Sequence, residues 1–248
     1  MSKTILITGG SRGIGRAAAL MAAQRGWAVG INYASNEAAA HDTVRAVQQA
    51  GAKAVAIKGD VSRETDVIAM FDAAEKALGK LDGLVNNAGI VGMKQPFADY
   101  TLERMRRIFD INILGAYLCA REAARRMAKS RGGNGGSIVN LSSMAARLGS
   151  PGEYVDYAGS KGAIDTMTVG LARELAAEGV RVNAVRPGLI DTEIHASGGQ
   201  PDRAARLGAA TPMGRAGTAE EVAAAIIWLL EDSCNYMTGA LLDVAGGR

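Results

Sequence analysis

Tyr157 and Lys161 stand four residues apart in a chain of 248, inside a stretch whose apolar positions recur at intervals of three and four. On a helix that spacing puts a phenol and an ammonium on one face. A free phenol, with a pKa near ~10, is a poor base at neutral pH, but a neighbouring positive charge favours its phenolate. Such a pair could give or take a proton at a reacting oxygen, with the lysine tuning the tyrosine. Upstream, Ser142 and Ser143 close an apolar stretch, and either hydroxyl could hold that oxygen.

A second constellation lies near the N-terminus, where Thr8-Gly9-Gly10-Ser11-Arg12-Gly13-Ile14-Gly15 separates an apolar strand from a helical pattern. Glycines at 9, 13 and 15 let the backbone turn tightly and let a pyrophosphate approach the positive end of the helix. No Lys-Ser or Lys-Thr follows them, which excludes a Walker A loop. An NAD-binding unit usually carries an acidic residue about 20 positions on, at the end of the second strand. Tyr33 stands there instead, while Arg12 and Ser35 could embrace an additional 2′-phosphate, so the expected cofactor is NADP(H). Ser35 or Asn36 is equally suited to cap the next helix, and Glu37 is the contrary sign.

The elements that must position these groups follow from the alternation of short apolar runs with helical periods. Strands are expected at Thr4–Thr8, Ala28–Tyr33, Ala54–Lys58, Gly83–Asn86, Ser137–Leu141, Arg181–Arg186 and Leu241–Val244. Helices are expected at Arg16–Arg25, Glu37–Ala50, Glu64–Leu78, Ile113–Lys129, Tyr157–Glu178 and Ala219–Leu230. This βα rhythm implies an α/β fold: a Rossmann-like, doubly wound sheet of seven parallel strands with helices on both faces. The glycines of 132–136 do not break the rhythm, so residues 1–248 are expected to form one domain. The stretch Leu189–Met213 does interrupt it and reads as a lid.

The chain resembles the short-chain dehydrogenase/reductase family over essentially its whole length. The residues that carry the resemblance are Thr8-Gly-x-x-x-Gly-Ile-Gly15, Asp60-Val61, Asn86-Asn-Ala-Gly89, Asn112, Ser143, Tyr157-x-x-x-Lys161 and Pro187-Gly188. It implies an oxidoreductase that moves a hydride between nicotinamide and a carbonyl/alcohol pair, with Tyr157 as proton donor or acceptor. By the same resemblance Ser143 holds the substrate oxygen, Lys161 also reaches the nicotinamide ribose and Asn112 steadies a water chain. The cofactor would then meet Gly9, Ser11, Arg12, Gly13, Ile14 and Gly15, with Tyr33 and Ser35 at the second strand's end. Asp60 and Val61 would hold the adenine, Asn87, Ala88 and Gly89 would lie along the ribose, and Pro187, Gly188, Ile190 and Thr192 would meet the nicotinamide end. One departure concerns the interval from Ser143 to Tyr157, one residue longer than in many members, which keeps Ser142 as a fallback.

Composition bounds the partners. Hydrophobic residues at 48% and charged residues at 21% describe a chain able to bury a core. A formal charge of +3, with scattered Lys and Arg, gives no basic stripe for nucleic acid. Cys119 and Cys234 have neither CxxC spacing nor paired histidines, so no metal site or disulfide frame is expected. No apolar run approaches the ~20 residues of a membrane span, so a cytoplasmic protein is expected. Lys94, Arg147, Glu153, Tyr154 and His195 are candidate substrate contacts, and Glu153-Tyr154 hints at a sugar or other hydroxylated carbonyl compound. The alternatives are a 3-ketoacyl-carrier-protein reductase and a non-catalytic NADP-binding sensor. Family resemblance further implies a homotetramer with seams on the two long helices and on 228–248.

Overall fold

The computed structural model describes residues 3–248. Its strands are β1 (Thr4–Ile7), β2 (Ala28–Tyr33), β3 (Ala54–Lys58), β4 (Gly83–Asn86), β5 (Gly136–Leu141), β6 (Val180–Pro187) and β7 (Leu241–Val244). They form one sheet in the order β3-β2-β1-β4-β5-β6-β7, every pair parallel. β1, β2 and β4 are buried at every position, as expected of strands covered on both faces. The strand order reverses between β1 and β4, and at such a reversal the loops beyond the strand ends diverge and leave a crevice.

Ten α-helices accompany the sheet among the described residues: α1 (Gly13–Ala23), α2 (Glu37–Gln49), α3 (Glu64–Leu78), α4 (Leu102–Phe109), α5 (Ala116–Met127), α6 (Ala145–Leu148), α7 (Val155–Leu175), α8 (Ile194–Ser197), α9 (Arg203–Gly208) and α10 (Ala219–Leu230). Alternating side chains of the sheet divide the core. Ile5, Ile7, Val29 and Ile31 pack with α1 and α10, while Leu6, Leu84 and Ile138 pack with α3, α5 and the end of α7. Met127, Met167 and Leu175 are buried in the chain's own interior. No described helix is long and apolar enough to cross a membrane.

All seven strands fall where the apolar runs predict them, within a residue or two. The helices differ more. The expected helix Ile113–Lys129 starts later, at α5, and is preceded by a wide π-type turn, Asp110–Gly115, joined to α4. α4, α6, α8 and α9 have no counterpart in the sequence reading. Each spans eight residues or fewer, too short for a helical period to show, and α4 is held by the Thr101 side chain, which accepts from the Arg104 amide.

Candidate active site

The glycine turn runs from the end of β1 into α1. Gly9 and Gly13 have φ of +61° and +51°, a conformation a side chain would strain. At Gly15 a Cβ would sit 2.5 Å from the Gly9 carbonyl oxygen, so only glycine lets the first turn of α1 pack onto the loop. No side chain caps α1, which leaves its first amides facing the crevice as an anion cradle. Thr8 and Asn87 fasten this loop to the end of β4. The Thr8 hydroxyl accepts from the Asn87 and Ala88 amides at 2.9 Å, and the Asn87 side chain donates to the Thr8 and Gly9 carbonyls at 2.8 and 3.0 Å.

Beyond the ends of β2 and β3 lies a cavity of about 420 Å³ lined by Ala34, Lys58, Gly59, Asp60, Asp66 and Ala69. Asp60 accepts from the Ser62 amide and hydroxyl, and Val61 packs against Gly115 of the π turn. Tyr33 is buried, and its phenol is pushed up by burial and by the nearby Glu37 charge. Arg12 and Ser35 are exposed, Asn36 caps α2 by accepting from the Ala39 amide, and Glu37 turns toward His41 at 3.6 Å. Lys58, which sequence reasoning missed, ends β3 directly beside Tyr33 of β2. Only knowledge of the strand register brings that lysine to this place.

The Ser143, Tyr157 and Lys161 side chains meet on the other side of the crevice. The Ser143 hydroxyl accepts from the Ala145 amide at 3.1 Å and lies close enough to the Tyr157 hydroxyl to favour its phenolate. Burial raises the phenol, and the Ser143 contact works against that rise. Lys161, only 5% exposed, donates from Nζ to the Leu141 carbonyl at 2.7 Å, and lies 5.5 Å from the Tyr157 ring centre. Burial drives its pKa down to about 8, partly countered by the Asp165 charge. Desolvation thus penalises both charged forms, the Tyr157 phenolate and the Lys161 ammonium. Ser142 is distinguished from Ser143 by its partner: its buried hydroxyl donates to the Lys161 carbonyl of α7.

Asn112 sits in the π turn, 1% exposed. Its side chain accepts from the Ile90 amide at 2.8 Å and donates to the Ile90 carbonyl at 2.9 Å and to Ser160 at 3.1 Å. It therefore clamps the loop that follows Gly89 to α7, and a Cβ on Gly89 would lie 3.4 Å from Asn112 and 3.5 Å from Lys161 Nζ. Arg104 of α4 fixes the start of α7 by a buried ion pair with Asp156, Nε to Oδ2 at 2.7 Å. Asp156 also accepts from the Tyr157 amide.

The segment after β6 closes the arrangement. Pro187 accepts from the Met144 amide at 3.0 Å, Gly188 abuts Ala245, and Ile190 is buried. Thr192 and Glu193 come within 3.6 Å of where a Gly13 Cβ would stand, over the glycine turn. The five candidate substrate contacts are all committed within the chain. Glu153 pairs with Arg203 at 2.7 Å and Lys94 at 3.3 Å, Arg147 with Asp243 at 3.0 Å, and His195 with the Ile190 carbonyl at 2.8 Å. The Tyr154 hydroxyl donates to Gly198 and accepts from Gln200. The Glu153–Arg203, Tyr154 and His195 contacts tether the α8–α9 segment, Arg147 joins α6 to β7, and the Lys94 and Arg147 side chains stay exposed.

A crevice at a strand-order reversal, an uncapped glycine turn and a Ser-Tyr-Lys cluster define a Rossmann-type oxidoreductase. Residues 9–248 match the family model described as enoyl-(acyl carrier protein) reductase, and the chain belongs to the short-chain dehydrogenase/reductase family. It is 55% identical over 98% of both chains to an Escherichia coli K12 protein designated uncharacterized oxidoreductase YgfF. It is 40% identical to L-rhamnose 1-dehydrogenase (NAD(P)(+)) of a Sphingomonas species, covering 99% of this chain and 95% of the relative. Among solved structures, 3-ketoacyl-(acyl-carrier-protein) reductase of Brucella melitensis complexed with NADH superposes with a TM-score of 0.91 at 32% identity, covering 99% and 98% of the two chains.

Proposed function

We propose that the protein is an NADP(H)-dependent oxidoreductase acting on a carbonyl/alcohol pair, with 1–248 as one catalytic domain and residues 189–213 as its lid. The reading rests on one observation above the rest, the convergence of the Ser143, Tyr157 and Lys161 side chains beside Gly89 and Asn112. The first amides of α1 and residues 9–15 would hold the pyrophosphate, Asp60 and Val61 the adenine, Asn87 to Gly89 the ribose, and Pro187, Gly188, Ile190 and Thr192 the nicotinamide end. Bound there, NADP(H) supplies or accepts the hydride. In reduction Tyr157 gives its proton to the substrate oxygen while Ser143 donates a hydrogen bond to that oxygen. A phenol raised by burial keeps its proton at neutral pH and so suits the donor role. Lys161 steadies the charge that develops on Tyr157, and Asn112 holds the backbone that frames them.

Charge favours NADP(H): no carboxylate ends β2, Glu37 faces His41, Arg12 is exposed on the glycine turn, and Lys58 lines the cavity beyond β2 and β3 together with Asp60 and Asp66. A clear preference for NADH in kcat/KM would reject that assignment.

For the substrate we retain a hydroxylated carbonyl compound, now on the strength of the rhamnose dehydrogenase relative, since Glu153 and Tyr154 are engaged elsewhere. The ketoacyl-thioester alternative draws on the Brucella structure. A panel of sugars, small ketones and ketoacyl thioesters, followed by NADPH absorbance, separates them. Tyr157→Phe should lower kcat at least about 100-fold on whichever substrate turns over; undiminished turnover rejects Tyr157 as the proton donor, whereas a wild-type protein that binds NADPH yet reduces nothing in the panel would revive the sensor. A cytoplasmic homotetramer completes the proposal, supported by the exposed Leu114 and Tyr117 on one side of the π turn and by Trp228 on α10.

A further inference from the structure

Behind the catalytic cluster runs a line of alternating charges. Lys161 stands one helical turn before Asp165 on α7. Asp165, 13% exposed, receives Arg186 of β6 on one oxygen, Nε at 3.0 Å and Nη2 at 2.9 Å. Its other oxygen, Oδ1, is buried with no hydrogen-bond partner. Arg186 continues to Asp243 of β7 at 3.4 Å, and Asp243 to Arg147 of α6 at 3.0 Å. The line runs alongside the site: it begins at Lys161, its middle residue Arg186 precedes Pro187 and Gly188, and it ends at Arg147 on α6, which follows Ser143.

A carboxylate with a bare buried oxygen is costly to maintain, and folding alone would favour an apolar residue or a better-satisfied one. What the position gains is a negative charge one turn from a buried ammonium. The groups set against Lys161 are Tyr157 and Asp165 on its own helix and the Leu141 carbonyl of β5, and the neutral Asn112 of the π turn shares the Gly89 surroundings with it. Of these Asp165 alone brings an opposing formal charge at neutral pH. We propose that Asp165 is a positioning residue for Lys161: its buried carboxylate, oriented by Arg186, keeps the lysine in its ammonium form and sets the pH above which the enzyme loses reductive activity. The proposal rests on the reading of Lys161 as a charged partner of Tyr157.

The test is the pH profile of kcat/KM for carbonyl reduction in the full-length enzyme. In wild type the alkaline limb should fall near pH 8, where Lys161 gives up its proton. Asp165→Asn keeps the shape of the side chain and removes its charge, and should move that limb toward lower pH by roughly one unit while leaving NADPH affinity within about twofold. Arg186→Gln strips the cation from Asp165 and should move the limb the opposite way. Opposite displacements are what a general loss of packing cannot produce. An unmoved limb in Asp165→Asn, or the same direction in both variants, overturns the proposal. Should Asp165→Asn fail to fold, the Arg186→Gln displacement alone decides, and a downward or absent shift rejects the idea. Lys161→Met separates the two levels: if it retains full activity, the catalytic reading falls as well, whereas if it is dead and Asp165→Asn leaves the limb in place, only this inference falls.

Discussion

Lys161 is the least comfortable residue in the fold. A lysine whose pKa falls from 10.5 to about 8 on burial binds fewer protons folded than unfolded between those values. Stability should therefore rise with pH from about 8 to 10.5, and below that window the buried ammonium costs on the order of 3 kcal/mol. Replacing it with methionine removes that cost and also a hydrogen bond to Leu141 worth ~1 kcal/mol. Lys161→Met should thus abolish turnover yet raise stability by about 2 kcal/mol in urea titration at pH 7, whereas a loss of stability would show that the ammonium is structurally favourable. The neighbouring serines divide in the same way. Ser143→Ala should lower kcat by about two orders of magnitude, since it removes the donor beside Tyr157. Ser142→Ala should cost roughly 1 kcal/mol of stability and leave steady-state kcat close to wild type, because its hydroxyl serves a backbone carbonyl.

Among the elements, α4 and the π turn govern how α7 is presented. Neither announces itself in sequence: α4 is two turns long, and the π turn of 110–115 overlaps the start of what reads as one helical period from 113 to 129. Motif residues were legible because the chemistry constrains their types, as at Tyr157, Lys161 and the glycines. Their supports were not, because Arg104 and Asp156 lie 52 residues apart, and nothing local marks them as partners. The same holds for Glu153 with Arg203, and for Lys58 beside Tyr33, where pairing depends on tertiary register. Arg104 matters most, being the cation for an aspartate whose side chain is 1% exposed at the first turn of α7. Arg104→Met should destabilise the protein by about 3 kcal/mol, the cost of leaving a buried charge unpaired. Because Asp156 also accepts from the Tyr157 amide, the surviving folded fraction should show a lower kcat and an almost unaltered Kd for NADPH. An equal loss in both would place the effect in the sheet and not at the tyrosine.

At the scale of the whole molecule, the site is assembled from the ends of β1, β4, β5 and β6 together with α7, so its geometry depends on how firmly these parts are held from outside. Leu114 in the π turn that carries Asn112 and Tyr117 at the start of the following α5 are 55% and 44% exposed. Exposure of this kind next to a functional turn is what a subunit contact would cover, since burying each such side chain is worth ~1.5 kcal/mol or more. Light scattering of the purified protein should return the mass of four chains of 25.6 kDa each. Leu114→Glu should shift the population to smaller species and raise KM together with lowering kcat, because the π turn that clamps Ile90 and Ser160 would lose its outer support. A monomeric wild type would remove the assembly from the proposal, and Leu114→Glu that dissociates with kinetics unchanged would show that the turn is stiff enough on its own.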